Sequence, residues 1–224
     1  PTQEQMDSVT AMEDEIRRYT DVFIEDRSVK HRMVKVGILT KEDAFELGAV
    51  GPMMRASGIS QDMRSLGYAA YKELDFKPIV ETAGDSYARS LVRIREIEQS
   101  FDLIKQAAGK IPGGAIEEKV KGTPNGEYFA RLEQPRGEVI YYARGNGSKF
   151  LDRVRVRTPT FANVPSLLKI LQGCELADVP ILIVHVSGRE AVEQIHWAQG
   201  RGMKIYAETC PQYMVLTEHD LHAP

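Results

Sequence analysis

Cysteine is scarce in this chain: Cys174 and Cys210 are the only two in 224 residues, and neither belongs to a Cys-x-x-Cys pair. That count excludes a disulfide framework and points to a reducing compartment. It also excludes a soft-metal centre, which gathers several thiolates, often in closely spaced pairs that each deliver two ligands at small entropic cost. Long hydrophobic runs are missing too. No stretch reaches the length of a bilayer span, and residues 1–15 are too polar for a signal-peptide core. Charge of one sign is lacking: 29 basic residues against 32 acidic ones leave a net charge of −3. A nucleic-acid or anionic-membrane partner is therefore not expected. What is present suits a globular chain, 42% hydrophobic and long enough for one sizeable core or two small ones. Pro1 in place of Met and the polar close at residues 219–224 read as cut ends, so a fragment is expected.

Hydrophobic spacing predicts the elements. Thr2 with Gln5 has the form of a capping box, and Met6, Val9, Met12, Ile16, Tyr19 and Phe23 follow at helical intervals, predicting a long amphipathic helix. Thr40 and Asp43 open a shorter helix through Leu47, stopped by Gly48 and by Gly51-Pro52. A loop then runs through Arg55, Ser57 and Gly58. From Ser86 to about Ala108, Tyr87, Leu91, Ile94, Ile97, Phe101 and Ile104 mark one helical face, with Arg89, Arg93, Glu96 and Gln99 between them. Asp85 stands where it caps that helix and favours its dipole. His31 is expected on a helix surface.

After Pro112-Gly113-Gly114 the period falls to two. Tyr128 to Glu133, Glu138 to Arg144 and Leu151 to Arg157 read as strands of a small antiparallel sheet, punctuated by Pro135-Arg136-Gly137 and Gly145-Asn146-Gly147. Arg153, Arg155 and Arg157 share one face, read as an outward charged surface that discourages edge pairing rather than an anion site. Val164 to Leu171 is a short helix ending at Gly173. Then the character changes. Val179 to Val186 is an apolar strand, Arg189 to Gln199 a helix capped by Ser187 and Glu190, and Lys204 to Glu208 a second strand, a parallel strand-helix-strand unit. The fold class is α+β: a helical body, a small antiparallel sheet and that added tail.

Several motifs occur in order over roughly the first 180 residues: Gly51-Pro52-Met53-Met54-Arg55-Ala56-Ser57-Gly58, Asp62-Met63-Arg64, Tyr68, Tyr71, Asp75-Phe76, Gly84-Asp85-Ser86-Tyr87-Ala88-Arg89, Gln134-Pro135-Arg136-Gly137-Glu138 and Arg157-Thr158-Pro159-Thr160-Phe161-Ala162-Asn163. This series resembles the large subunit of energy-converting, membrane-bound [NiFe]-hydrogenases and its relative, the 49-kDa-type subunit of NADH:quinone oxidoreductase. The stretch from Lys41-Glu42-Asp43-Ala44 to Leu47-Gly48-Ala49-Val50 tilts the resemblance toward the hydrogenase branch. It implies a nickel–iron centre held by one Cys-x-x-Cys near each end of the subunit, hydrogen or quinone chemistry, an iron–sulfur small subunit beside it and membrane subunits as further partners. It also implies a cytoplasmic place, on the membrane only through those partners. In this chain the first cysteine pair would lie ahead of Pro1. Where the second should follow residues 176–180 and an apolar strand, His185-Val186-Ser187-Gly188-Arg189 stands instead. Cys174 is read as a small buried residue, and no cofactor is expected to bind.

The last forty-five residues resemble a different family. Ile183-Val184-His185-Val186-Ser187, Ala191, Arg201-Gly202 and residues 206–213, Tyr-Ala-Glu-Thr-Cys-Pro-Gln-Tyr, are similar to dihydropyrimidinase and D-hydantoinase, cyclic amidohydrolases built on a TIM barrel. The resemblance implies a chimera divided as 1–179 and 180–224, and makes His185 a ligand of one of two divalent metals such as zinc, at the C-terminal end of a barrel strand. Its partner ligands are absent from the sequence.

Two further residues are candidates by resemblance. Arg55, with Ser57 and Gly58, is implied to shape a loop beside the electron-accepting site; the structural alternative is a turn where Gly58 supplies φ > 0 and Arg55 pairs with a carboxylate. Glu138 is implied to stand near the metal cleft as a general-base candidate, against the alternative of a solvated strand carboxylate. The functional expectation is thus an inactive fragment of an oxidoreductase catalytic subunit. The alternatives are a cyclic amidohydrolase fragment and a non-catalytic subunit that docks an iron–sulfur partner through the long helix and the sheet.

Overall fold

The computed structural model describes residues 3–115, 117, 119, 121–173, 181–183, 189–202 and 205–207. They form two compact units, divided between Ile170 and Leu171, each with its own architecture.

In the first unit the long N-terminal helix α1 spans Gln3–Glu25 and is followed by α2, Arg27–Met33. Asp26 separates them because its side chain accepts the Val29 N–H at 2.8 Å, satisfying a donor that the start of α2 would leave orphaned. His31 lies exposed on α2, as expected. The period of α1 matches the sequence, but its seam does not. The buried residues of α1 are Glu13 and Thr20, while Met12, Tyr19 and Val22 stand exposed. Burial of a carboxylate is tolerated here because Arg17, at 3.0 Å, and Lys105 both donate to Glu13. These hydrogen bonds hold its carboxyl below the usual range.

Thr40 caps α3, Lys41–Glu46, by accepting the Asp43 N–H at 3.0 Å. The stretch read as a loop after Gly51 instead contains a helical turn, α4, Pro52–Arg55. Pro52 breaks a helix only from inside; at the first turn its fixed φ suits the helix and its missing N–H costs nothing. Asp85 opens α5, Ser86–Lys110, with Oδ1 accepting the Ala88 N–H and Oδ2 the Lys35 N–H, both at 2.8 Å. The core around these helices is small-residue rich: Leu39, Ala44, Ala49 and Met54 form one cluster, and Ala56, Ala88 and Val92 another. Alanines at 56 and 88 let the α4 turn and α5 approach closely.

The sheet has the order β1-β2-β3, with β1 Asn125–Gln134, β2 Gly137–Asn146 and β3 Leu151–Arg157, all antiparallel. Glu133 pairs with Glu138 across a tight Pro135-Arg136 turn, and Tyr128, Ala143 and Val154 align across the three strands. Arg153 and Arg155 face solvent, as the sequence suggests, but Val154 and Val156 on the opposite face are exposed as well. Alternation therefore identifies the strand here without identifying a buried side. Thr158 caps α6, Pro159–Ala162, and α7, Val164–Ile170, follows it.

The second unit is a parallel strand-helix-strand: β4 Ile181–Ile183, α8 Arg189–Gln199 and β5 Ile205–Ala207, with Ile181 opposite Ile205. Ile195 and Ala198 of α8 are buried, and the Arg201 guanidinium lies 3.6 Å from the Trp197 ring centre. One such unit is far short of the eight that close a barrel, so no barrel is seen among the described residues. The boundary expected at 179/180 and the residues Cys174, His185, Ser187, Cys210, His219 and His222 lie outside the described residues.

Candidate functional site

The motifs that are scattered along the sequence meet in the first unit. Gly51, at φ +65°, lies against Gly137, at φ +124°, so closely that a Cβ on Gly51 would stand 2.6 Å from Gly137 N. Only two glycines allow this approach between the start of α4 and the β1–β2 turn. Asn163 fastens the same junction. Its Oδ1 accepts the Val50 N–H at 2.9 Å, while its Nδ2 donates to Val50 O at 3.1 Å and to Arg136 O at 3.5 Å. Gly84 closes a third side: Leu39 N–H donates to Gly84 O, and Gly84 N–H donates to Ala56 O, each at 2.9 Å. Arg89 adds bonds to Gly84 O at 2.8 Å and Gly37 O at 2.9 Å.

Beneath this junction lies a buried charge cluster centred on Arg55, which has no solvent exposure. Its Nη1 stands 3.0 Å from Asp62 Oδ2 and donates to Glu133 Oε1 at 2.9 Å and to Gln61 O at 3.0 Å; its Nη2 stands 2.7 Å from Glu96 Oε1. Arg64 forks onto Asp62, with Nε to Oδ1 at 2.9 Å and Nη2 to Oδ2 at 2.7 Å. Glu133 Oε2 accepts the Met63 N–H at 3.0 Å, and its own N–H donates to the Tyr68 hydroxyl at 3.1 Å. Burial pushes the carboxyl groups of Glu96 and Glu133 up, with the arginines pulling the other way. Desolvation also raises the Tyr68 hydroxyl. Arg55 Nε has no partner among the described residues.

A cavity of about 470 Å³ opens beside the cluster, walled by Arg64, Tyr71, Arg93, Glu96, Glu133 and Pro135. A second, of about 310 Å³, shares Arg64 and Tyr71 with it and is apolar along Leu74, Leu103 and Ile104. Tyr68, Tyr71 and Phe76 pack edge to face at 5.2 and 5.8 Å, and Arg64 sits 4.4 Å from the Phe76 ring centre. These contacts fix Arg64 in place at the cavity wall. Desolvation, and repulsion from Arg136, lower Arg93. The arrangement provides a recess with a largely apolar lining into which guanidinium and carboxyl groups project.

Of the residues singled out from sequence, Arg55 lies immediately behind this wall. Gly58 has φ +84° and Arg55 is paired with carboxylates, so both features of the turn alternative are present. Glu138 does not line the cavity. It is buried on β2, with Oε1 accepting from Arg131 Nε and Oε2 from Arg157 Nη2 at 2.6 Å. Sequence reasoning passes over Glu96 and Glu133 as site residues. Helical spacing places Glu96 on the polar side of its helix with no motif beside it, and the one available signal is that Glu133 directly precedes the Gln134-Pro135-Arg136-Gly137 motif.

No group of three or more His, Cys, Asp or Glu residues positioned for a metal ion occurs among the described residues. The carboxylates of the cluster converge on Arg55, a cation that already fills the position an ion would take. No helix among the described residues is long and apolar enough to cross a membrane.

Residues 2–187 match the family described as the 49-kDa subunit of respiratory-chain NADH dehydrogenase. Among individual proteins, the chain is 37% identical over 183 residues to a component of the F(420)H(2) dehydrogenase of Methanosarcina mazei, covering 77% of this chain and 48% of the relative. It is 35% identical over 199 residues to the alpha subunit of the membrane-bound hydrogenase of Pyrococcus furiosus, covering 81% and 47%. A solved structure of the membrane-bound sulfane sulfur reductase, an archaeal respiratory membrane complex, contains a chain 30% identical to this one, with a TM-score of 0.65 over 76% of this chain and 53% of the other. The chain thus spans about half the length of the relatives it matches. These comparisons lend no support to the amidohydrolase resemblance of the tail.

Proposed function

The chain belongs to the 49-kDa-subunit family of respiratory-chain NADH dehydrogenase, and from that membership we propose that its body serves as part of a hydrogenase-like subunit in an electron-transferring oxidoreductase. Membrane subunits fit as partners, since one relative is named as a subunit of a membrane-bound hydrogenase and another belongs to a respiratory membrane complex; an iron–sulfur small subunit is proposed on the motif resemblance alone. The observation that carries this reading is the meeting of separate motif segments at the Gly51–Gly137 junction and the Arg55 cluster beneath it, beside a cavity edged by charged groups.

In this proposal the chain does not itself hold nickel. The resemblance implies four thiolates, whereas the sequence has two isolated cysteines. The residues do not fit the group, and no step runs through it. What the residues present do is structural and electrostatic: the ion-paired Arg55 cluster makes one rigid cavity wall, and Arg64 and Arg93 offer donors to a polar occupant.

Nickel determination on the purified chain, combined with hydrogen-linked dye reduction, tests the proposal. Nickel far below one atom per chain and no turnover are expected; stoichiometric nickel with turnover would refute it. Co-purification with an iron–sulfur subunit in the absence of nickel would favour a docking role over chemistry.

For residues 180–224 the amidohydrolase ancestry also stands as a proposal, favoured by the parallel pairing of β4 with β5 around α8. Stoichiometric zinc and hydantoin hydrolysis would support an active form of it; with one histidine of the ligand set present, neither is expected.

A further inference from the structure

The Arg55 cluster is unbalanced. Two guanidiniums, Arg55 and Arg64, face three carboxyl groups, Asp62, Glu96 and Glu133. Arg93 from α5 lines the same cavity and feels the charge of Glu96, but it is exposed and makes no ion pair among the described residues, so solvent screens it and the buried cluster stays short of one positive charge. An uncompensated buried carboxylate is costly, and the usual remedy is to bind a proton. The question is which of the three takes it.

Hydrogen bonding separates them. Both oxygens of Asp62 accept from Arg64, and Oδ1 also accepts the Arg64 backbone N–H at 2.9 Å. Both oxygens of Glu133 are acceptors too, one from Arg55 and one from Met63 N–H. A proton on either residue would displace a donor. Glu96 differs: Arg55, at 2.7 Å, and Arg64, at 3.5 Å, lie at ion-pair distance from its Oε1, yet that oxygen is buried without a hydrogen-bond partner among the described residues. Among the described residues no hydrogen bond reaches Oε2 either, so a proton on this carboxyl group displaces no hydrogen-bond donor. The side chain is only 12% exposed yet forms part of the cavity wall, which joins low solvation to a route for exchange with water.

We propose that Glu96 holds the exchangeable proton of this cluster and acts as the acid–base group of the cavity. A basic atom of a polar occupant would take that proton, and water at the cavity mouth would return it; no electron moves and no other bond changes. The groups facing Glu96 are Arg55 from α4, Asp62 and Arg64 from the turn that follows, Arg93 from its own helix and Glu133 from β1. The raised carboxyl values of Glu96 and Glu133 agree with a shared proton, and the bonding pattern assigns it to Glu96.

The test is a pH titration of the carboxyl carbons in a 13C-glutamate-labelled chain. One glutamate is expected to titrate well above the usual value of about 4.3, and that outlier should vanish in Glu96→Gln while persisting in Glu133→Gln. Because glutamine resembles a protonated glutamate, Glu96→Gln should also keep the wild-type thermal midpoint near neutral pH. The proposal is overturned if the wild-type chain has no outlying glutamate, which requires no variant to fold. It is equally overturned if the outlier survives in Glu96→Gln.

Discussion

Arg55→Met is expected to destabilise the chain by about 3–5 kcal/mol, the usual cost of breaking a buried ion pair from one side. The variant keeps nearly the same volume, so packing is not the main loss. It leaves three carboxyl groups and one guanidinium where the wild type has two guanidiniums. Chemical denaturation should show the loss as a shifted midpoint with an unchanged slope. The deficit should depend on pH. In the wild type burial already raises Glu96 and Glu133 above their ordinary value. Groups raised in the folded state contribute their full stability below the unfolded value and lose it as pH climbs through the folded value. Removing Arg55 takes away a force that lowers both groups, so it widens this window. Arg55→Met should therefore be less damaging at acid pH than at pH 8, and an equal deficit at both would count against the charge explanation. Arg55→Lys should recover part of the loss, since a lysine restores charge but not the fork that serves several carboxylates at once.

The second large effect is expected at the glycine contact. Gly51→Ala and Gly137→Ala should each cost about 2–5 kcal/mol, combining an unfavourable positive φ with overlap against backbone atoms that have no freedom to move aside. Gly51 adds a further difficulty, because its φ of 65° and ψ of −144° fall in a region essentially reserved for glycine. Gly147 is the control. It has φ +82° with nothing within 4 Å of an added Cβ, so Gly147→Ala should cost only about 1 kcal/mol, the conformational part alone. Comparable losses at 51, 137 and 147 would mean that the contact between α4 and the hairpin contributes little.

What is legible in the sequence is local. The α5 helix shows in its apolar spacing and its Asp85 cap, and the three strands in their alternation and turn residues, because each signal lies within a few residues of what it specifies. The parallel tail unit is legible for the same reason. The α4 turn escapes a sequence reading because Gly51-Pro52 signals both a stop and a start. The seam of α1 misleads because its buried position 13 is a glutamate made tolerable by Lys105, 92 residues away. The charge cluster is the least accessible: Glu133 is 78 residues from Arg55, and no spacing rule connects a strand carboxylate to a helical arginine at that distance. Motif resemblance singles out Arg55 for a loop beside the electron-accepting site and Glu138 for the metal cleft; the fold sets Arg55 immediately behind the cavity wall and clamps Glu138 between Arg131 and Arg157.

The central claim is that the motif segments are held together through Arg55, and a double-mutant cycle between Arg55→Met and Glu133→Gln tests it most directly. A coupling of about 2–3 kcal/mol is predicted, near the upper end for residues in one buried network. Additivity within about 0.5 kcal/mol would contradict it, since two groups at 2.9 Å that stabilise one junction cannot be lost independently.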